Sequence, residues 1–203
     1  MTTLAGLHAT PRSGALADRL MPHGLVADAL LVAAGALAIA ASAQVRLPLP
    51  FTPVPLTGQT FAILLVGSSL GLRRGALTTL VYLLAGIAGA PVFTNAGHGL
   101  AVLLGPTGGY LIGFLAASVI LGAAADRTGV RTLLPAVAWM AAGSAVIYAF
   151  GVAGLMIATG VSAARALEIG VWPFLVGDVI KAALAGALLP VAWTLLPRSR
   201  LRR

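Results

Sequence analysis

Between Leu25 and Leu196 the chain is a series of apolar runs, most close to membrane-crossing length, separated by short polar connections. Inside hydrocarbon, backbone N–H and C=O groups must find partners within the structure, which fixes the local answer as helix. Only 9% of residues are charged, against about a quarter in a soluble domain. Mean hydropathy is +1.00. At roughly 20 residues per span, 203 such residues hold about six helices. The expected fold is therefore an all-α membrane protein with six transmembrane helices. Its 25 glycines and many alanines suit helices that approach closely.

The expected spans are Leu25 to Val45, Thr57 to Leu72, Gly75 to Ala90, Tyr110 to Ala125, Leu133 to Thr159 and Trp172 to Leu196. The second and third are short, so the second is tilted or begins inside a protein-lined cavity. Four prolines between positions 48 and 55 remove donors and block regular helix, which makes 46–55 an extended or re-entrant loop. Residues 91–109 are Gly-rich and irregular, with the apolar run Leu100–Leu104 at the membrane edge. Flanking the spans are a basic N-terminal tail (1–24) and a basic C-terminal tail (198–203), around a transmembrane domain at 25–197. Residues 1–22 carry no clear short apolar region with a cleavage site, so the first span is expected to stay in the mature protein.

Arginines orient the bundle. With the N-terminus in the cytoplasm, inner segments carry Arg12, Arg19, Arg73, Arg74, Arg127, Arg131, Arg198, Arg200, Arg202 and Arg203, and outer ones carry Arg46 and Arg165. That asymmetry follows the positive-inside rule, and an even span count places both termini inside. The expected location is the cell membrane, multi-pass. The net charge of +8 thus marks orientation in a lipid bilayer, not nucleic-acid binding. Absence of cysteine excludes disulfides, thiolate metal sites and a Cys nucleophile. His98 has no second His or Cys at ligand spacing, so neither a metal nor a cofactor is expected.

One span departs from the apolar pattern. Lys181, the only lysine, follows Asp178 by three residues within the last apolar run. Charge in a bilayer costs at least a few kcal/mol and marks a pathway or ligand site by default. Residues three apart share a helix face, so the two charges can meet. They lie one to two turns below the outer end of the span, where the Pro-rich loop, the Asn95 loop and the 160–171 connection also converge. An outward-facing pocket follows. The plain alternative is an ion pair that staples helices together. In the first span, Ala29 and Ala33, Ala34 and Ala38, and Ala36 and Ala40 form four-residue pairs. Such a stripe suits either packing within the bundle or a docking face for another membrane protein.

Four strings carry a family resemblance: Val54-Pro-Leu-Thr-Gly-Gln-Thr, Tyr82-Leu-Leu-Ala-Gly-Ile-Ala-Gly-Ala-Pro-Val-Phe, Leu104-Gly-Pro-Thr-Gly-Gly-Tyr-Leu-Ile-Gly-Phe and Gly177-Asp-Val-Ile-Lys. In order and spacing they resemble the BioY family over about residues 25–195. The resemblance implies a six-helix substrate-binding (S) component of energy-coupling-factor (ECF) type, which takes biotin from outside. It implies docking on a transmembrane coupling protein and a cytoplasmic ATPase pair, the latter dispensable in some members. Ala29, Ala33, Ala36 and Ala40 are the candidate docking residues. No phosphate-cradling Gly-x-x-x-x-Gly-Lys-Ser/Thr is present, so ATP hydrolysis would belong to a partner. No Gly-x-Ser-x-Gly or His-Glu-x-x-His supports an enzyme. No convincing internal repeat supports a self-sufficient transporter.

Biotin presents a carboxylate, a ureido group with two N–H donors and one acceptor, and an apolar ring. Asp178 suits a ureido N–H, and Lys181 suits the ureido oxygen or the carboxylate. Asn95 carries both a donor and an acceptor. Tyr110 is a contact or an interfacial anchor. Gln59 is a contact or caps a helix end. Thr107 is placed to cap the helix after it, and Trp139, Trp172 and Trp193 read as lipid-interface or packing residues.

Overall fold

A computed structural model describes residues 14–21, 24–128 and 130–195. Arg12, the four C-terminal arginines, and with them the C-terminal tail and residues 1–13 of the N-terminal tail, lie outside the described residues. A short α1 (Ala17–Leu20) precedes α2 (Leu25–Gln44). Next comes an antiparallel ribbon of β1 (Arg46–Leu47) and β2 (Leu56–Thr57), with Arg46 opposite Thr57. Then follow α3 (Gln59–Ile87), a 3-10 turn (Thr94–Ala96) and the short α4 (Leu100–Leu104). Helices α5 (Gly108–Thr128), α6 (Leu133–Thr159), α7 (Ala163–Gly170) and α8 (Leu175–Thr194) complete the described chain.

Five helices, α2, α3, α5, α6 and α8, are long and apolar enough to cross a membrane. The sequence suggested six, and the difference lies in α3, where the second and third expected spans run together. That element is not straight. Gly71 sits at φ 79° and ψ 179°, a conformation that a side chain would strain. There the chain doubles back. The Gln59 amide donates to the Tyr82 hydroxyl at 2.6 Å, although the residues are 23 apart in sequence; a straight helix would separate them by about 35 Å. A Cβ on Gly75 would lie 3.2 Å from the Gly67 Cα. Thus α3 is two antiparallel arms joined at a glycine. Asp126, at the end of α5, accepts the Leu72 N–H at 3.1 Å and so takes up one orphan donor of the second arm.

Helix α5 is the most deeply buried of the long helices, packed between α3 and α6. Its glycines permit this. A Cβ on Gly109 would lie 2.8 Å from the Gly154 Cα, and one on Gly154 would lie 2.5 Å from the Gly109 Cα. Backbone meets backbone at this crossing, which small residues favour in membrane bundles. By contrast, α2 buries only Gly35, Ile39 and Ala43. On the shoulder of that face, Ala29 and Ala33 are exposed, whereas Ala36 and Ala40 are half-buried against the core.

Polar groups collect at the two ends of the bundle. At one end Arg74 is buried and paired to Asp18 and Asp28, each at 2.6 Å, which ties α1 and α2 to α3. Nearby, Arg131 lies over the Trp193 ring at 4.6 Å. Trp193 is buried and Trp139 half-buried, as packing residues would be, while Trp172 is exposed. The opposite end carries the ribbon, the Asn95 turn and α7. Gly109→Val should separate α5 from α6, because neither backbone can yield; overpacking of this kind costs about 1–3 kcal/mol. In detergent we expect a melting temperature several degrees lower and a smaller monodisperse fraction. Gly24→Ala, with open space around its Cβ, should leave both unchanged.

Candidate functional site

The ribbon end of the bundle encloses a cavity of about 330 Å³, within the range of small-molecule sites. Its apolar walls come from Val54, Phe93, Leu111, Phe114, Ile147 and Phe174. Five polar candidates from the sequence, Gln59, Asn95, Tyr110, Asp178 and Lys181, all line it. Their approach from distant parts of the chain depends on irregular backbone. The Pro-rich loop crosses the cavity and is pinned by Thr52, whose hydroxyl donates to the Ile169 carbonyl at 2.7 Å. Irregular backbone at membrane depth persists where it lines such a cavity.

Asp178 and Lys181 meet as their spacing predicts. Nζ donates to Oδ1 at 2.8 Å, to the Thr57 carbonyl at 2.6 Å and to the Thr60 hydroxyl at 3.2 Å. Asp178 is 6% exposed, yet well partnered. Its Oδ1 also accepts from the Thr60 hydroxyl at 3.1 Å, and Oδ2 accepts from the Tyr148 hydroxyl at 2.5 Å. A carboxylate offers about four acceptor positions, so one on Oδ2 is still available. The pair is both a staple between α8 and the ribbon and a polar surface of the cavity.

Asn95 adopts φ 61° and ψ 38°, left-handed backbone that Asn tolerates better than most residues. Its side chain is exposed at the cavity rim, and no hydrogen bond from it is found among the described residues. Gln44, at the end of α2, holds this turn from both sides. It donates to the Phe93 carbonyl at 3.0 Å and accepts the Ala96 N–H at 3.1 Å. Gln59 is buried and braces its neighbours: it donates to Tyr82 and accepts from Thr94 at 3.0 Å. One N–H of its amide remains unused. Tyr110 is buried, not a lipid-interface anchor; its hydroxyl donates to the Gly170 carbonyl at 2.7 Å, leaving its ring as cavity wall. Thr107 lines the cavity, and its carbonyl accepts the Leu111 N–H at 3.3 Å. His98 is exposed, and its Nδ1 lies 3.3 Å from the Ala96 carbonyl oxygen.

Sequence reasoning missed Tyr148, Thr60 and the Thr57 carbonyl. A tyrosine inside the long apolar α6 was the available signal, since a hydroxyl there needs a partner. The carbonyl had no signal, because which backbone atom faces Lys181 is decided by the ribbon.

The BioY family model matches residues 8–198. The chain belongs to the BioY family. This BioY-family protein is 37% identical over 159 residues to the biotin transporter BioY of Rhizobium etli, covering 73% of this chain and 84% of that one. It is 41% identical to a probable biotin transporter BioY of Pyrococcus horikoshii, over 66% of this chain and 76% of the relative. The fold is similar to the crystal structure of an S-component for biotin from an ECF-type ABC transporter. The TM-score is 0.74 at 24% identity, over 84% of this chain and 90% of the other.

If Asp178 and Lys181 hold each other in place, removing one charge strands the other. Losing one member of a buried pair costs about 3–5 kcal/mol, and loss of both costs less. Asp178→Asn should therefore lower the melting temperature in detergent more than the double variant Asp178→Asn/Lys181→Met does. A double-mutant cycle should give a coupling of about 1–3 kcal/mol.

Proposed function

We propose that this protein captures biotin from the outer side of the membrane and serves its uptake as the S component of an ECF-type transporter. The observation that carries this reading is the cavity in which Asp178, Lys181 and Asn95 converge among apolar walls, in a chain of the BioY family. It supplies what biotin asks for: acceptor capacity on Asp178 for a ureido N–H, a donor and acceptor on Asn95, and aromatic and aliphatic surface for the thiophane ring. Gln59 and Tyr110 shape the wall. As a member of a transporter family it is no enzyme, and ATP hydrolysis belongs to partners.

The membrane arrangement we favour has six passes, with the two arms of α3 as the second and third and both basic tails in the cytoplasm. The arginine asymmetry supports it. So does the placement of Arg73 and Arg74 beside the Gly71 turn, at the opposite end from the cavity. The membrane is the cell membrane. The partners are a transmembrane coupling protein and an ATPase pair, with the latter dispensable in some relatives. Ala29, Ala33, Ala36 and Ala40 are the docking stripe, and the exposure of the first two supports that use.

Radiolabelled biotin should bind the purified protein in detergent saturably, unaffected by thiamine or riboflavin. A folded, monodisperse sample that does not bind would overturn the reading. Asp178→Asn should weaken binding about ten- to hundredfold, the range for one hydrogen bond to a charged group. Ala33→Leu should leave biotin binding intact and reduce uptake by cells that carry the coupling module.

A further inference from the structure

Between Arg74 and Asp126 the sequence contains no Asp, Glu, Lys or Arg. That stretch includes the whole connection from α3 to α5, residues 88–107, in which His98 is the only titratable side chain. The other connections at the ribbon end carry charge, on Arg46 and on Arg165 and Glu168. A connection in water can carry charge freely, whereas one against lipid is selected to be without it. Within this connection α4 has two unlike faces. Val102 lines the cavity, and Val102 and Leu103 are half-buried against the core. Leu100 and Leu104, 55% and 71% exposed, lie one turn apart on the opposite side. No residue of α4 is fully buried by protein.

We propose that α4 is a wall one helix thick between the cavity and the acyl chains of the outer leaflet, with Val102 toward the ligand and Leu100 and Leu104 in lipid. Depth supports this. The second arm of α3 is about 24 Å long, so it leaves about 6 Å of a hydrocarbon layer of about 30 Å unfilled. Helix α4 sits at the end of that arm, where the Gly99 N–H donates to the Gly86 carbonyl at 2.7 Å. Leu77, Val81 and Leu84 form an exposed apolar face along the same arm, and Leu100 and Leu104 extend that lipid-facing surface. Backbone that meets lipid must be paired internally. The turns around α4 meet this need: Val102 N–H donates to the Gly99 carbonyl and Gly105 N–H to the Val102 carbonyl, each at 3.3 Å, and Gly108 N–H to the Gly105 carbonyl at 3.0 Å. Acyl chains packed against Leu100 and Leu104 hold α4 on the cavity, which makes the bilayer a part of the binding site. Only the choice of leaflet rests on the six-pass arrangement proposed above.

The chain has no cysteine, so a single one can be introduced to carry a nitroxide. In lipid nanodiscs, a nitroxide on Leu104→Cys should be relaxed strongly by oxygen, which concentrates among acyl chains, and weakly by the water-soluble nickel complex Ni-EDDA. Leu84→Cys is the lipid-facing reference and Arg165→Cys the aqueous one. The oxygen-to-nickel ratio at Leu104 should match that at Leu84 and exceed that at Arg165 severalfold. A ratio like that at Arg165 means that α4 stands in water, and protection from both reagents means that another protein chain covers it; either result overturns the proposal. An impermeant maleimide should label Arg165→Cys on intact cells, and failure to do so overturns the choice of leaflet. Leu100→Ser/Leu104→Ser should weaken biotin binding in nanodiscs severalfold, while Leu84→Ser, outside the cavity lining, should leave it unchanged. Unchanged affinity in the double variant overturns the part of lipid in holding the wall. A parent protein that binds no biotin fails the biotin reading alone, since the relaxation measurement uses no ligand.

Discussion

The contact between Lys181 and the Thr57 carbonyl is what joins the membrane helices to the irregular backbone above them. An ammonium in an apolar helix must find three acceptors, and only one of its acceptors here, Asp178, lies on its own helix. The other two come from the end of β2 and the start of α3. Electrostatic need in α8 therefore fixes where the ribbon sits, and the ribbon in turn carries Arg46 and the Pro-rich loop across the cavity. Tyr148 closes the arrangement from α6 by holding the other oxygen of Asp178. Three separate segments are thus brought to one carboxylate and one ammonium.

Close glycine contacts supply the complementary constraint. Where Gly109 faces Gly154, α5 and α6 approach to backbone distance, and Tyr110 on the next position is pressed against Gly151 and Gly170. The cavity survives inside an otherwise dense bundle because its walls are set by such contacts and its roof by hydrogen bonds. Gln44 and Thr52 hold two roof segments through single side chains. Each uses a backbone carbonyl that would otherwise need water.

Hydropathy and charge were enough to read the helical class, the Leu133–Thr159 helix to the residue, and the Asp178–Lys181 pair, whereas Asn95, Tyr110 and Gln59 were singled out with the help of the family resemblance; all five line the cavity. The pair was legible because polar side chains are scarce against an apolar background. The join at Gly71 was less legible. Arg73 and Arg74 suggest a loop, while the chain turns on a single glycine and resumes helix at once. The α7 helix was read as connection, since its eight residues are too few for a periodic signal. Ribbon pairing was also missed, because two residues per strand carry no alternation. The suggestion that the second span begins in a protein-lined cavity fits, since Gln59 and Thr60 at the start of α3 line it.

The doubled form of α3 has a consequence for how the protein is made. Its first arm is about 18 Å long and its second about 24 Å, against a hydrocarbon thickness of about 30 Å. Neither arm has the length of a standard insertion signal, and the turn between them has no spare residues. In the six-pass arrangement we favour, the two arms are best suited to enter the lipid together, as a helical hairpin whose backbone groups are already paired. On that arrangement, contacts that join the arms, such as Gln59 with Tyr82, would matter before the protein ever meets a ligand.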